Sequence, residues 1–492
     1  MQTVPQAVLR SWSIPPAATF AIALSALVYL RGWWLLRRAG SQNIPPWRAW
    51  AFLLGLLSLW VALASPMDVF NSFVLTAHML QHMMLMMVVP PLILLGAPLV
   101  PMVRGLPIFA AREFAGPFLN WSFAKRVGTA LTNPVFALVL MGIAMFAWHT
   151  PALYELALRS PAWHQTEHAC FLFASLIFWW PVVQPWPSRA QWPRWAMVPY
   201  LLIADLQNTV LSAILAFSDR VLYPSYSSVP RLFGFSALED QVAAGAIMWM
   251  VGSLAFVVPA IIIAVQCLSK RPSHAASRRR ESSAAGAFFS RTTDFPSSRN
   301  IMSARWSNER MEAFSFIVLF VAAALCFAGL VSANDDDEQV LRSKETSGPF
   351  AVAIFGPPGN LAAGSSRFSV LVQNRESHEV LLDASVDLTA QPFSETQAEP
   401  TSARASRADS ANKLLQTAEL NLPAQGEWTL NIAVRNNSNG SHFSTPLRVV
   451  RAEAEVEYPW SYAFMAVFFA ILVAVYFRRR RLPHGEERRA HA

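Results

Sequence analysis

The stretch HMLQHMMLMM (residues 78–87) places two histidines and five methionines inside an apolar segment, residues 73–95. Roughly 20 apolar residues in a helix cross the ~30 Å hydrocarbon core of a bilayer. Ionisable side chains are costly at that depth and mark functional sites. The stretch therefore predicts a membrane-spanning helix that carries a binding site.

The spacing of these residues favours a metal site. His78 and His82 are four residues apart, so a helix places both on one face, and Met86 continues that face one turn further on. Imidazole and thioether groups suit copper, especially Cu(I), and Met83 or Met86 would be an exchangeable soft ligand. The structural alternative is that the methionines fill packing gaps while the histidines hydrogen-bond to neighbouring helices.

The composition is that of a polytopic membrane protein. The chain has 492 residues, of which 54% are hydrophobic and 14% charged. Its net charge is +8, but the basic residues lie beside apolar segments, where they orient membrane helices, so we expect no nucleic acid partner. The three cysteines form no C-x-x-C pair and predict neither a disulfide framework nor a zinc knuckle.

Long apolar segments divide the chain into modules. Residues 13–269 predict an all-α bundle of seven membrane helices. The seven predicted spans are residues 17–36, 50–64, 73–95, 134–148, 164–183, 197–217 and 242–267. A basic cytoplasmic linker (270–310) leads to an eighth membrane helix (311–333), and a ninth (461–478) precedes a basic cytoplasmic tail (479–492).

The segment between the last two spans, residues 334–460, has a different composition. Polar turns separate six stretches with strand-like alternation: FAVAIF, RFSVLVQ, VLLDASVDL, AELNL, EWTLNIAV and TPLRVV. Short strands in this number predict a small all-β sandwich of immunoglobulin-like type. A piece rich in Ser, Ala, Thr and Gln, residues 391–413, is expected to form a long flexible loop.

The basic residues also predict the topology. With the amino terminus outside, the segments assigned to the cytoplasm hold 25 Lys and Arg residues, against four in the amino-terminal segment and the short outer loops. Cytoplasmic segments are enriched in Lys and Arg. We therefore expect the amino terminus and the β-domain outside, and the carboxy terminus in the cytoplasm.

This topology places every histidine of the bundle in its outer half. They are His78, His82, His149, His164 and His168. The second pair repeats the spacing of the first, so two helices each offer two imidazoles to one site. The residues expected to support these ligands as polar or soft groups are Glu167, Asp205, Asp240 and Met248.

Other chemistries fit parts of this pattern. HQTEH (residues 164–168) matches H-x-x-E-H, the zinc-ligand pattern of one class of metalloproteases, in which Glu167 would activate water. Glu167 can instead orient a ligating histidine or pair with Arg159. Histidines on facing helices can supply the axial ligands of a haem. Haem normally needs two histidines, so five histidines with methionines favour a metal-ion relay. The apolar inner halves of the spans argue against a metal-ion permease.

Four separated motifs carry a resemblance: HMLQHMMLMMVVPPLILLGAPL, WHTPALYELAL, HQTEHACFLFASLIFWWPV and DQVAAGAIMWMVG. Together they resemble the CtaG-type cytochrome c oxidase assembly factors, seven-helix membrane proteins required to make an active oxidase. The resemblance covers residues 13–269 and implies a role in oxidase biogenesis through copper supply. It implies that the five histidines, Asp240 and Met248 are motif positions.

The β-domain also carries a resemblance, in GPFAVAIFGPPGNLAAGSSRFSVLVQNRESHEVLLDASVDL. It is similar to YtkA-like or FixH-like periplasmic domains, which are linked to oxidase assembly and copper. This domain holds no methionine, and its histidines are His378 and His442, so a Met-rich copper site cannot form there. We expect a docking or scaffold domain that contacts an oxidase subunit.

These observations predict a non-enzymatic copper chaperone in a bacterial inner membrane that serves cytochrome c oxidase. Its expected partners are membrane lipid, oxidase subunits and a periplasmic copper donor. The alternatives are an intramembrane zinc metalloprotease and a haem-binding or metal-free assembly scaffold.

Overall fold

The architecture is taken from a computed structural model of the chain. It describes residues 3–107, 128–188, 190–269, 339–357, 361–393, 398–408, 410–436 and 439–450. The predicted linker, the eighth and ninth membrane helices and the tail lie outside these residues.

Proline begins many of the helices in the amino-terminal module. The helices are α1 (Val4–Leu9), α2 (Pro16–Arg38), α3 (Pro46–Ala64), α4 (Pro66–Val69), α5 (Leu75–Met83), α6 (Val89–Leu95), α7 (Leu99–Gly105), α8 (Pro134–Trp148), α9 (Pro151–Arg159), α10 (Pro161–Val183), α11 (Met197–Phe217), α12 (Ser225–Ser228) and α13 (Ala237–Ser269). A π-helical segment, Met84–Val88, joins α5 to α6, and a 3₁₀ turn, Arg194–Ala196, precedes α11. Proline suits the first position because the N–H it lacks has no partner there.

The described residues contain six or seven candidate membrane spans. Six helical segments are long and apolar enough to cross a bilayer: Pro16–Arg38, Pro46–Val69, Leu75–Leu95, Pro161–Val183, Arg194–Phe217 and Ala237–Ser269. Helices α8 and α9 meet at 70° and pass the same test together, which gives a seventh span if they are counted as one. The prediction of a bundle of long apolar helices is confirmed, with six or seven such helices in the described residues. The bend between α8 and α9 was not predicted.

The third span continues through two consecutive prolines. In a helix, the carbonyl of Met86 would accept from the backbone amide four or five residues on, but those residues are Pro90 and Pro91, which have no N–H. The indole Nε1 of Trp179 in α10 donates to this carbonyl instead, at 2.9 Å. Trp179 is 3% exposed, so the bond fixes α10 against the π-helical segment inside the bundle.

A small residue allows α13 to approach α11 closely. A Cβ atom at Gly252 would lie 2.3 Å from Nδ2 of Asn208, which is far inside van der Waals contact. The same Nδ2 donates to the carbonyl of Met248 at 3.2 Å. Glycine at an interhelical contact with a polar bond across it is typical of membrane helix packing.

The carboxy-terminal domain is a sandwich of two sheets. Its strands are β1 (Val340–Ser347), β2 (Phe350–Gly356), β3 (Leu361–Ala362), β4 (Gly364–Asn374), β5 (Ser385–Pro392), β6 (Thr401–Arg404), β7 (Gln416–Leu422), β8 (Gly426–Asn436) and β9 (Asn439–Val450). One sheet has the order β1-β2-β4-β7 and the other β3-β9-β8-β5-β6. The pairs are antiparallel apart from β3 with β9. The predicted β-sandwich is confirmed, whereas its immunoglobulin-like type stays a prediction.

The strand prediction was incomplete in three places. Each of the six predicted stretches contains a strand, but β1, β3 and β6 were not predicted. Strand β1 has the sequence VLRSKETS, in which polar residues hide the alternation. The stretch predicted as a long loop, residues 391–413, holds β6, whose Thr401 and Arg404 pair with Ala390 and Asp387 of β5. That part of the prediction was wrong, because pairing with a neighbour overrides weak local propensity.

Strand β2 explains how the sandwich sits on the bundle. All seven of its residues are buried, although a strand with one solvated face would alternate. Val352 and Ile354 point into the sandwich core, whereas Ala353 and Phe355 belong to a second apolar cluster that includes Phe70 of the bundle. The outer face of this sheet is therefore covered by the membrane module.

Candidate metal centre

Two pairs of histidines meet inside the bundle, one from α5 and one from α10. The ring centroids of His78 and His82 are 4.3 Å apart, and those of His164 and His168 are also 4.3 Å apart. Across the helices, the centroids of His78 and His164 are separated by 5.2 Å and those of His82 and His168 by 5.3 Å. The spacing of four residues on each helix thus produces a compact group of four imidazoles, which we call the histidine cluster.

Glu167 adds a carboxylate to the histidine cluster. Its Oε2 lies 3.6 Å from Nε2 of His78 and 3.9 Å from Nε2 of His82. Glu167 and His78 have no exposed surface, and His82 is 1% exposed. Glu167 faces the histidines of the other helix, whereas Arg159 pairs with Glu155. Of the two predicted uses of Glu167, the structure places it against candidate ligands and not against Arg159.

The hydrogen bonds around His78 identify its proton-bearing nitrogen. The hydroxyl of Tyr226 donates to the carbonyl of Asn71 at 2.7 Å, so its oxygen is left to accept. Nδ1 of His78 lies 3.3 Å from this oxygen, and the hydroxyl of Tyr154 lies 3.1 Å from it. Burial raises the pKa of Tyr226 well above its ordinary value, which keeps the hydroxyl a donor. His78 therefore carries its proton on Nδ1 and turns the lone pair of Nε2 towards Glu167.

His149 has the same arrangement. Its Nδ1 lies 2.7 Å from the carbonyl of Met145, which can only accept, so Nδ1 carries the proton. Nε2 is then a free lone pair in a side chain that is 7% exposed. A ring nitrogen that donates to a backbone carbonyl, with the other left free, is the arrangement of metal-ligating histidines. The ring of His149 lies 6.0 Å from Phe171, which in turn lies 4.8 Å from His82.

Many buried polar atoms of this region have no hydrogen-bond partner among the residues that the structure describes. Eight side-chain atoms are in this condition: Nε2 of His78, both ring nitrogens of His82, Nε2 of His149, His164 and His168, and both carboxylate oxygens of Glu167. A buried polar group without a partner costs about 1–3 kcal/mol. Eight such atoms at one place fit a group that binds there, because structures retain few of them without a function.

Two sets of these atoms have the spacing of a metal site. The candidate ligand atoms of His78, His82 and His168 lie within 4.8 Å of one another, as do those of His78, His164 and Glu167. Nitrogen–metal distances near 2 Å allow one ion to touch atoms about 4 Å apart. The two sets share His78, so small side-chain movements would bring further ligands to the same ion.

The predicted methionine ligands are buried beside this region. Met83 and Met86 are 2% and 1% exposed and belong to the core of the bundle, as does Met248. The π-helical segment begins directly after Met83, so the α-helical spacing that put Met86 on the face of His82 does not hold beyond that residue. Coordination by these thioethers stays a prediction.

The two predicted aspartates support helices and not the imidazoles directly. Asp240 of α13 accepts from the backbone N–H of Leu75 at 2.7 Å and of Thr76 at 3.1 Å, and so caps α5 one turn before His78. Asp205 of α11 accepts from the hydroxyl of Ser253 in α13 at 2.7 Å. Asp240 therefore fixes the helix that carries the first histidine pair, whereas Asp205 joins α11 to α13.

Several residues around the cluster were not predicted from the sequence. Tyr154, Tyr223 and Tyr226 are at most 1% exposed and form a layer next to His78. The rings of Tyr154 and Tyr223 stack at 3.9 Å, and the ring of Tyr154 lies 5.1 Å from that of His78. The sequence signal was two tyrosines in YPSYSS, a short loop between spans. Their hydroxyls become informative only when the fold brings them to the histidine.

Comparison with known protein families finds a match for the module that holds the histidine cluster. Residues 27–270 match the family model of the cytochrome c oxidase caa3 assembly factor (Caa3_CtaG). No solved structure matches the chain.

The curated relatives come from mycobacteria and are described only as uncharacterized proteins. Those of Mycobacterium bovis and Mycobacterium tuberculosis are each 27% identical over 268 residues, 53% of this chain and 40% of the relative. That of Mycobacterium leprae is 27% identical over 265 residues, 51% of this chain and 38% of the relative. The chain thus spans about two fifths of the length of these relatives. Through residues 27–270, which hold every histidine of the cluster, the chain belongs to the cytochrome c oxidase caa3 assembly factor family.

Proposed function

We propose that this assembly factor binds Cu(I) at the histidine cluster and delivers it to cytochrome c oxidase, with copper as cargo. The observation that supports this proposal most strongly is the group of eight buried polar atoms without hydrogen-bond partners, contributed by α5, α10 and His149. Family membership supplies the destination, because the family assembles an oxidase.

Charge balance favours a monovalent ion. The cluster lies in an apolar bundle, where a net charge is expensive. Neutral imidazoles and one ionised Glu167 carry a charge of −1, which a single Cu(I) would neutralise. A divalent ion would leave an uncompensated positive charge at the same depth. Imidazole ligands suit both copper and zinc, so charge and not ligand type separates the two.

The location of the cluster suits delivery at one face of the membrane. His78 is the fourth residue of α5, which puts it about one turn inside the end of that helix. The distribution of basic residues supports assignment of this end to the outer face of a bacterial inner membrane. Oxidase subunits, membrane lipid and a periplasmic copper donor are the partners that this location supports.

The test is the copper content of the full chain after anaerobic loading in detergent. The variants His82→Ala and His168→Ala each remove an imidazole from the set with His78, and we expect both to lose most of the copper. His442→Ala is the matched control, because His442 lies on an exposed position of β9 in the other domain. An unchanged copper content in both cluster variants would contradict the proposal. A wild-type protein that takes up no metal would favour an assembly scaffold.

A zinc metalloprotease is the second candidate. The contact of Glu167 with the facing histidines supports it, because a carboxylate next to metal ligands can activate water. Its experimental signature is zinc in the purified chain, with proteolysis lost in Glu167→Gln while zinc is retained. A Soret band in the optical spectrum of the same sample would favour the haem alternative.

A further inference from the structure

We propose that the β-sandwich controls how readily copper leaves the histidine cluster, because it braces the segment of Tyr226 that lies over His78. This inference rests on the proposed function. It is drawn from contacts between the two modules, and these contacts are independent of any ion.

The β-sandwich contacts two loops of the bundle, in addition to the amino-terminal segment, where the hydroxyl of Ser11 accepts from the N–H of Lys413 at 3.0 Å. The ring of Phe355 in β2 lies 5.2 Å from that of Phe73, in the loop that leads into α5. Nε2 of Gln373 in β4 donates to the carbonyl of Arg231 at 2.7 Å, in the loop that leads into α13. Apolar residues of both modules are buried around these contacts, including Phe70 and Leu232.

Both loops continue directly to His78. Arg231 donates through its guanidinium to the carbonyl of Tyr226 at 3.1 Å, and the hydroxyl of Tyr226 donates to the carbonyl of Asn71. Nδ1 of His78 lies 3.3 Å from that hydroxyl. A series of hydrogen-bonded residues thus joins Gln373 of the sandwich to His78, a candidate ligand of the bundle. Phe355 contacts the other loop, which contains Asn71, the residue whose carbonyl accepts from Tyr226.

Tyr226 lies between His78 and the sandwich in this series of contacts, and two further buried tyrosines adjoin it. Tyr154, Tyr223 and Tyr226 are at most 1% exposed, and the first two stack on each other beside the imidazole. An ion that leaves the cluster on this side must pass this layer, so the Tyr226 segment has to move. Contacts that hold the segment in place therefore slow the exit of the ion, and reciprocally a bound ion that fixes His78 favours the seated sandwich.

The first test measures how fast a Cu(I) chelator extracts copper from the loaded full chain. Gln373→Met keeps the volume of the side chain but removes its donors to the carbonyl of Arg231 in the bundle and to that of His378 in the sandwich. Gln391→Met is the matched control, since Gln391 is an exposed residue of the other sheet. Loss of the one of these bonds that joins the two modules predicts extraction about three- to tenfold faster in Gln373→Met than in the control. Equal rates in the two variants would overturn the proposal.

The second test needs no metal and separates this inference from the proposed function. Hydrogen–deuterium exchange is followed in the metal-free wild type and in both glutamine variants. We expect faster amide exchange over residues 71–78 and 223–232 in Gln373→Met alone. If the chain binds no copper, the proposed function fails and this test decides whether the sandwich braces the segment. Exchange that is unchanged in Gln373→Met would overturn the bracing.

Discussion

Oε2 of Glu167 lies 3.6 Å from Nε2 of His78, and neither carboxylate oxygen of Glu167 accepts a hydrogen bond from any residue in the described part of the chain. The hydrogen bonds of Tyr226 place the proton of His78 on Nδ1, so two groups with free lone pairs face each other in a buried site. Two acceptors in contact are unfavourable unless a cation or a proton lies between them. This pair is thus the place where an ion would be stabilised most.

We expect Glu167→Gln to lower copper affinity without lowering the stability of the metal-free protein. The amide removes the charge that balances a monovalent ion, so copper affinity should fall about 10- to 100-fold. The metal-free protein should be equally or more stable, because a buried carboxylate without donors destabilises the fold. Competition with a Cu(I) chelator and thermal unfolding of the metal-free protein measure the two effects. Glu376→Gln, an exposed change in the β-domain, is the control. Unchanged copper affinity in Glu167→Gln would contradict the charge argument.

Trp179→Phe should destabilise the bundle. The phenylalanine keeps an aromatic ring but leaves the carbonyl of Met86 without a donor, because Pro90 and Pro91 have no N–H. We expect a loss of about 1–3 kcal/mol in the free energy of unfolding in detergent. Trp195→Phe is the control, since Trp195 is 64% exposed.

A second substitution tests the reason for this loss. Pro90→Ala restores an amide four residues after Met86, so the cost of Trp179→Phe should be smaller in the Pro90→Ala background than in the wild type. Costs that are equal in both backgrounds would show that the indole acts by packing and not by its hydrogen bond.

Asp240→Ala should loosen the helix that carries His78 and His82. Its carboxylate accepts from two amides at the start of α5, and loss of such a cap costs about 1–2 kcal/mol. Because His78 lies one turn away, we also expect weaker copper retention. Thermal unfolding and metal analysis measure the two effects, with the exposed Asp219→Ala as control. A variant as stable as the control would show that the cap is dispensable.

Apolar length and histidine spacing made much of the bundle predictable. The spans follow from hydropathy, and the pairs His78/His82 and His164/His168 follow from a period of four residues on a helix. The sequence also indicated that the pairs lie at the same depth, because topology could be derived from basic residues. The helix boundaries were less accurate, since α3 and α10 begin at Pro46 and Pro161, about one turn before residues 50 and 164, where the predicted spans begin.

Features that depend on contacts between distant residues could not be predicted. The π-helical segment after Met83 is one of them, because it depends on the hydrogen bond from the indole of Trp179 to the carbonyl of Met86. The layer of tyrosines depends on a loop that folds back over α5. One feature of the sequence indicates that the β-sandwich packs against another module. The uninterrupted apolar run FAVAIF is typical of a strand that is buried on both faces. The run also fits an ordinary alternating strand, so the sequence alone does not predict the cover on its second face.

X-ray absorption of the copper-loaded full chain tests the central claim most directly, because it reports the atoms bound to the ion. We expect one copper per chain with a shell dominated by imidazole nitrogen, and loss of that shell in the His82→Ala/His168→Ala double variant. Copper in a sulfur-dominated shell, or an imidazole shell that persists in the double variant, would contradict a copper site at the histidine cluster.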